Sequence, residues 1–189
     1  MQYTKYIIYF KDFNLYFDSM RKFSTLKVRS PKQHQKIIDK LGIDILSDKF
    51  TLSSFKKQLE STDTNISNFL LDQSRLSGVG NYIRNESLYI TKLNPKIKTS
   101  KLLKLENGKY VSILYTAIRY VSFSLLYTLF KGDRMRIPND IKKITPKRLQ
   151  IPYKFRVYEK EKDPYGNKIT DEKVAGRNTY WVKNIQIIK

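Results

Sequence analysis

Apolar and polar residues follow three different rhythms along the chain. Residues 5 to 28 (KYIIYFKDFNLYFDSMRKFSTLKV) are dense in aromatic and β-branched side chains and are broken at Lys11-Asp12-Phe13-Asn14. That is the pattern of two strands joined by a turn. A strip this short is too little sheet to cover its own aromatic face. The pattern therefore predicts an antiparallel remnant that begins inside a domain and packs on something else. From residue 31 the rhythm is helical. Pro31 opens PKQHQKIIDKLG with Gly42 as its stop, Thr51 caps LSSFKKQLE, and Asn65 precedes ISNFLLDQ. Over residues 110 to 130, Val111, Leu114, Ile118, Val121, Leu125 and Leu129 recur at spacings of three and four, with Ser112, Thr116 and Arg119 on the other side. This stretch reaches membrane-spanning length, but Arg119 at its middle would cost about 2.5–3.5 kcal/mol there. It reads as a core helix.

After Gly132 the chain becomes turn-rich and basic, with Pro138, Pro146, Pro152 and Pro164. FRVYEKEK and TYWVKNIQII bracket two turn sequences, Asp163-Pro164-Tyr165-Gly166-Asn167 and Ala175-Gly176-Arg177-Asn178. Short strands are expected to pair here, with Tyr158, Tyr180 and Trp181 as the apolar glue.

Charge sharpens the picture. The 189 residues carry 37 Lys and Arg against 17 Asp and Glu, a formal net charge of +20. Such a field attracts polyanions, nucleic acid first and an anionic membrane surface second. With 40% apolar residues and 25 aromatics the chain still has the means to build cores. There is no cysteine and one histidine, His34, so disulfides and thiolate metal sites are excluded, and neither a metal nor another cofactor is expected. The N-terminal residues lack the features of a secretory signal, which predicts an intracellular protein.

The candidate chemistry is concentrated in residues 69 to 95, FLLDQSRLSGVGNYIRNESLYITKLNP. Gly78 and Gly80 permit a tight turn and a close backbone approach to a ligand, since neither carries a Cβ. The helix that opens at Asn81 then offers free N–H groups and a positive dipole end to an anion. On these residues alone, a phosphate-binding helix start and a plain glycine-rich helix connection weigh equally.

LLDQ at 70–73, SGVGNYIRNESLY at 77–89 and LNP at 93–95 resemble the helix-two-turn-helix signature of the formamidopyrimidine-DNA glycosylase and endonuclease VIII family. The resemblance implies that Gly78, Gly80 and Asn81 grip the backbone of damaged DNA; Glu86 matches the acidic residue of the same helix, and its ordinary role, organising the turn, is the one expected here. GRNTYWV at 176–182 is similar to the tip of the family's β-hairpin finger and implies that Arg177 clamps a phosphate; without a family, Arg177 reads as a solvated turn residue. Most relatives hold the finger with four cysteines, so this chain resembles the zincless branch. FDSMRKFS at 17–24 is similar to the segment that fills the gap left by an everted base, which implies that role for Arg21 and Phe23. An ordinary strand-core role for Phe23 weighs nearly as much.

The family's catalytic start is Pro-Glu, whereas this chain starts Met1-Gln2, so no catalytic residue is assigned. The expected architecture is α+β. It consists of a remnant of a β-sandwich catalytic domain over 1–30, a helical helix-two-turn-helix DNA-binding domain over 31–150, and a zincless finger hairpin over 151–189. The resemblance implies a base-excision-repair glycosylase and abasic-site lyase family protein, a monomer acting on abasic or base-damaged double-stranded DNA and not on a membrane. The rival readings are a noncatalytic protein that shields damaged DNA and an RNA-binding or ribosomal helix-two-turn-helix protein.

Overall fold

In the computed structural model, residues 3–20, 23–130 and 149–188 are described. They fall into two units, Met1–Ile38 and Asp39–Lys189.

In the first unit, β1 (Thr4–Tyr9) and β2 (Asn14–Asp18) form an antiparallel pair in which Ile7 faces Tyr16 and Ile8 faces Leu15, with a register shift between Thr4 and Tyr6. The turn is closed by the Phe10 amide donating to the Phe13 carbonyl at 2.9 Å, and the two rings stack 4.5 Å apart. The strands are shorter than the 5–28 pattern predicts, and residues 23–30 form neither strand nor helix. Tyr9, Phe10 and Phe13 are exposed. Helix α1 (Pro31–Ile38) stops short of Gly42 and buries no residue.

The second unit is built on helices. Between β3 (Ile43–Asp44) and β4 (Leu76–Ser77), which pair in parallel, lie α2 (Leu52–Glu60) and α3 (Ile66–Leu71). Both helices start where the sequence predicts. Thr51 accepts from the Ser54 amide while Ser54 reaches back to the Thr51 amide, a reciprocal capping box, and Asn65 accepts from the Asn68 amide at 2.8 Å. Helices α4 (Asn81–Ile90), α5 (Thr99–Lys104) and α6 (Lys109–Phe130) complete the bundle. Phe50, Phe55, Leu70, Leu88, Leu114 and Ile118 are among its fully buried side chains. Each contributes about 1.5–3 kcal/mol by leaving water.

The stripe predicted on α6 buries Val111, Leu114, Ile118 and Val121, but Leu129 is exposed and Arg119 is buried. Arg119 therefore does not sit on a solvent face. Its Nη1 donates to the Phe50 carbonyl at 3.0 Å, and its guanidinium lies 5.5 and 5.6 Å from the Tyr115 and Phe123 ring centres. A polar acceptor and two π faces offset its desolvation. Among the described residues no helix is long and apolar enough to cross a membrane.

Strands β5 (Thr170–Val174) and β6 (Arg177–Trp181) form the C-terminal antiparallel hairpin. Its first strand is TDEKV and not FRVYEKEK. Residues 156–158 are kept out of a sheet because their amides are taken by the Glu86 carboxylate.

Candidate nucleic-acid interface

The glycine turn is shaped by Gln73. Its Nε2 donates to the Val79 carbonyl at 2.9 Å and its Oε1 accepts from the Gly78 amide at 3.0 Å, so one side chain brackets both ends of the bend. Gly78 has φ +94°, and a Cβ placed there would meet Ile45 Cγ1 at 3.2 Å, so both conformation and space favour glycine. Gly78 thus contributes shape, its N–H being already engaged. Gly80 is the N-cap of α4, with ordinary φ and no capping side chain, so the first amides of the helix lack a side-chain acceptor. Bare amides and a positive dipole end are what an anion meets there.

Asn81 holds the hairpin. Its Nδ2 donates to the Asn178 carbonyl at 2.9 Å, while its buried Oδ1 has no partner among the described residues. Three residues on, and so on the same face of α4, Arg84 is fully buried. Its Nη1 donates to the Val174 carbonyl (3.2 Å), and its Nη2 donates to the Asn178 carbonyl (3.1 Å) and to Thr179 Oγ1 (2.7 Å). Burial, then the positive charge of Arg177, pulls the Arg84 guanidinium down to about 10, so it stays cationic at neutral pH. These acceptors are neutral oxygens rather than carboxylates. Arg177 is exposed at the first position of β6, after a two-residue loop in which Ala175 (φ +59°) and Gly176 (φ +68°) both adopt the left-handed conformation of a tight hairpin. The same short stretch of α4 therefore carries the helix start and the clamp on the hairpin tip.

The base of the hairpin is tied to the same helix. Glu86, also fully buried, accepts from Tyr153 Oη (2.9 Å) and from the amides of Arg156, Val157 and Tyr158 at 2.9–3.0 Å. It does not organise the glycine turn, which Gln73 holds, but the turn at 156–158. Tyr89 Oη donates to Asp163, which also accepts from the Tyr165 and Asn167 amides. Burial opposes the Asp163 charge, but these donors prevail and hold its carboxyl below the usual range. Burial, followed by the Asp163 hydrogen bond, pushes the Tyr89 phenol up. Tyr89, Val157, Ile169 and Val182 form a small apolar core, and Tyr158 meets Tyr180 edge-on at 5.4 Å. Gln186 Nε2 closes the arrangement on the Leu93 carbonyl at 2.9 Å. Among the described residues no three His, Asp or Glu side chains gather as metal ligands.

Gly78, Gly80, Asn81 and Arg177 all belong to this one unit. Phe23 belongs to the first unit, where it is 89% exposed and outside both strands, so it is not a strand-core aromatic. Arg21 lies outside the described residues. Sequence reasoning passed over Gln73, Arg84 and Asp163. For Arg84 a signal existed: Asn81, Arg84 and Leu88 share one helical stripe, and a cation on a buried stripe needs acceptors from elsewhere.

The profile of the formamidopyrimidine-DNA glycosylase H2TH domain matches residues 41–122, and that of the formamidopyrimidine-DNA glycosylase C-terminal domain matches residues 142–187. Formamidopyrimidine-DNA glycosylase of Prochlorococcus marinus (strain NATL2A) is 31% identical over 149 residues, covering 79% of this chain and 51% of that protein. The Listeria monocytogenes enzyme is 28% identical over 192 residues, covering 98% and 67%. The chain thus spans about half to two thirds of these relatives' length. Its fold matches the MutM (Fpg) protein of Thermus thermophilus with a TM-score of 0.74 at 23% identity, covering 100% of this chain and 70% of that one. It also matches Lactococcus lactis Fpg in a complex with DNA containing an abasic site, with a TM-score of 0.71 at 24% identity, covering 96% and 65%. Two profiles that together span most of the chain, relatives sharing one description and a common fold agree with the geometry of the glycine turn and the hairpin: the chain belongs to the formamidopyrimidine-DNA glycosylase and endonuclease VIII family.

Proposed function

We propose that this protein binds double-stranded DNA at abasic or base-damaged sites, as a monomer, in base-excision repair. The carrying observation is that Asn81, at an uncapped helix start, and Arg177, at a hairpin tip, are joined through Asn178 and Arg84 into one rigid cation-bearing element. An uncapped helix start suits one phosphate and an exposed guanidinium suits another. The relative of known structure in complex with abasic-site DNA supports the choice of ligand. In this reading residues 1–30 are a sandwich remnant, 31–150 the DNA-binding domain and 151–189 the finger. Arg21 and Phe23 enter the gap beside the lesion, for which the exposure of Phe23 leaves it available.

The test compares Asn81→Ala and Arg177→Ala with a surface control, Lys56→Ala, on intact and abasic duplexes at one fixed salt. Each site variant should lose about 1–3 kcal/mol of binding, most on the abasic duplex, where bending is cheap. Asn81 is the cleaner probe, being uncharged. Equal small losses for all three variants on both duplexes would overturn the assignment. Catalysis is a separate property, read by borohydride trapping of a Schiff-base adduct on the abasic duplex.

A further inference from the structure

The base of the finger carries a second concentration of charge that the phosphate grip does not use. Between the end of α4, the start of α5 and strand β6 lies an open groove of about 460 Å³, lined by Asn94, Lys96, Lys98, Lys101, Lys183 and Trp181. All four lysines are exposed. The ammonium groups of Lys96 and Lys183 each stand 5.9 Å from the centre of the Trp181 ring, so one indole carries two cations. The opposing negative charge is smaller. Glu172 pairs with Lys96 at 2.9 Å and also holds the Trp181 Nε1–H. Asp63, within Coulombic reach of Lys98, is engaged with Ser100. Four ammonium groups therefore meet two carboxylates, and the excess positive charge faces an open groove.

We propose that this groove is a second phosphate-backbone site for duplex DNA. It would receive the strand a few nucleotides away from the point held by Asn81 and Arg177. The reading rests on the proposed DNA binding of the helix start and finger. Its geometry follows from β6, which carries Arg177 at one end and Trp181 at the other. Four residues at ~3.3 Å each separate them by roughly 13 Å. A strand lying along β6 would cover that span in about four base steps of ~3.4 Å. Lysine ammonium groups suit this role because they act as point charges that follow a backbone without reading bases. Trp181, almost fully buried, serves as the rigid floor that keeps Lys96 and Lys183 in place.

Trp181 is the only tryptophan in the chain, so its fluorescence reports on this groove alone. The full chain, excited at the red edge to avoid its tyrosines, is quenched with iodide, caesium and neutral acrylamide, with and without a saturating two-turn abasic duplex. Binding is followed independently through a label on the DNA. Without DNA, iodide should quench several times more efficiently than caesium. With DNA bound, iodide and acrylamide quenching should both fall at least twofold, since a strand in the groove blocks even the neutral quencher. As a second measurement, the K96Q/K101Q/K183Q variant should lower the slope of log affinity against log salt by about 2 to 3, at ~0.9 for each phosphate no longer neutralised. The K49Q/K56Q/K57Q control should lower it by less than one. A K96Q/K101Q/K183Q variant that binds the labelled duplex with the wild-type salt slope would overturn this groove and leave the Asn81–Arg177 reading standing. Failure of the labelled duplex to bind would overturn both.

Discussion

Replacing Glu86 with glutamine should loosen the finger without removing a single residue from the DNA-facing surface. In the native arrangement one buried carboxylate satisfies three consecutive backbone amides, at 156, 157 and 158, and the Tyr153 hydroxyl. Hydrogen bonds to a charged acceptor contribute about 1.5–3 kcal/mol each and neutral ones about 0.5–1.5. In Glu86→Gln the amide oxygen can keep the three N–H donors if its NH2 turns to the Tyr153 hydroxyl, which can rotate to accept. All four charged bonds become neutral, a loss of about 4 kcal/mol in all. Part of it returns because a buried negative charge no longer has to be desolvated, which leaves a net cost of about 2 kcal/mol. Glu86→Ala is harsher. Three amides and a phenol lose their acceptor at about 1–3 kcal/mol each, so the cost should reach about 4 kcal/mol or more. Urea unfolding followed by Trp181 emission measures both, since Trp181 sits in the hairpin that this segment supports. Variants within about 0.5 kcal/mol of wild type, or a Gln variant as damaging as Ala, would refute the reasoning.

Other substitutions separate shape from charge. Arg84→Lys keeps the buried cation but not the three-way fork, so abasic-duplex affinity should fall about tenfold while the salt slope stays as in wild type, checked by anisotropy across a salt series. Wild-type affinity for the lysine variant would remove the positioning role. Gly78→Ala should cost about 1–2 kcal/mol, because φ is +94° and Ile45 is close, whereas Gly80→Ala, in ordinary contact with Tyr82, should stay within about 0.5 kcal/mol; urea midpoints decide. Asp163 has a lowered folded pKa, so its stabilisation is complete above the ordinary carboxylate value of 3.8 and is lost as pH falls through the lower folded value. The stability gap between wild type and Asp163→Asn should therefore shrink with acid below that point and stay constant above it.

What was legible in the sequence was local. Thr51 and Asn65 cap helices through bonds to residues three positions away, and the glycine turn is written in Gly78 and Gly80. Arg119 was illegible for the opposite reason. Periodicity assigns it to the solvent side, but its acceptor is a carbonyl 69 residues upstream; the stripe of Arg84 signals burial, yet nothing local names its acceptor, 94 residues downstream. FRVYEKEK has the composition of a strand, yet Glu86, some 70 residues earlier, claims its amides. The candidate site shows the same division. Its individual members were readable, whereas the joint between Asn81 and the finger through Asn178 exists only once the chain is folded.

That joint is tested most directly by a double-mutant cycle between Asn81 and Arg177 on the abasic duplex, with affinities of the two single variants and the double variant measured at one salt. If helix start and hairpin tip act as one element, loss of the Asn81–Asn178 bond already misplaces Arg177, and the double variant should fall short of the summed single losses by about 0.5–3 kcal/mol. Strict additivity would show two unconnected contacts and contradict the account.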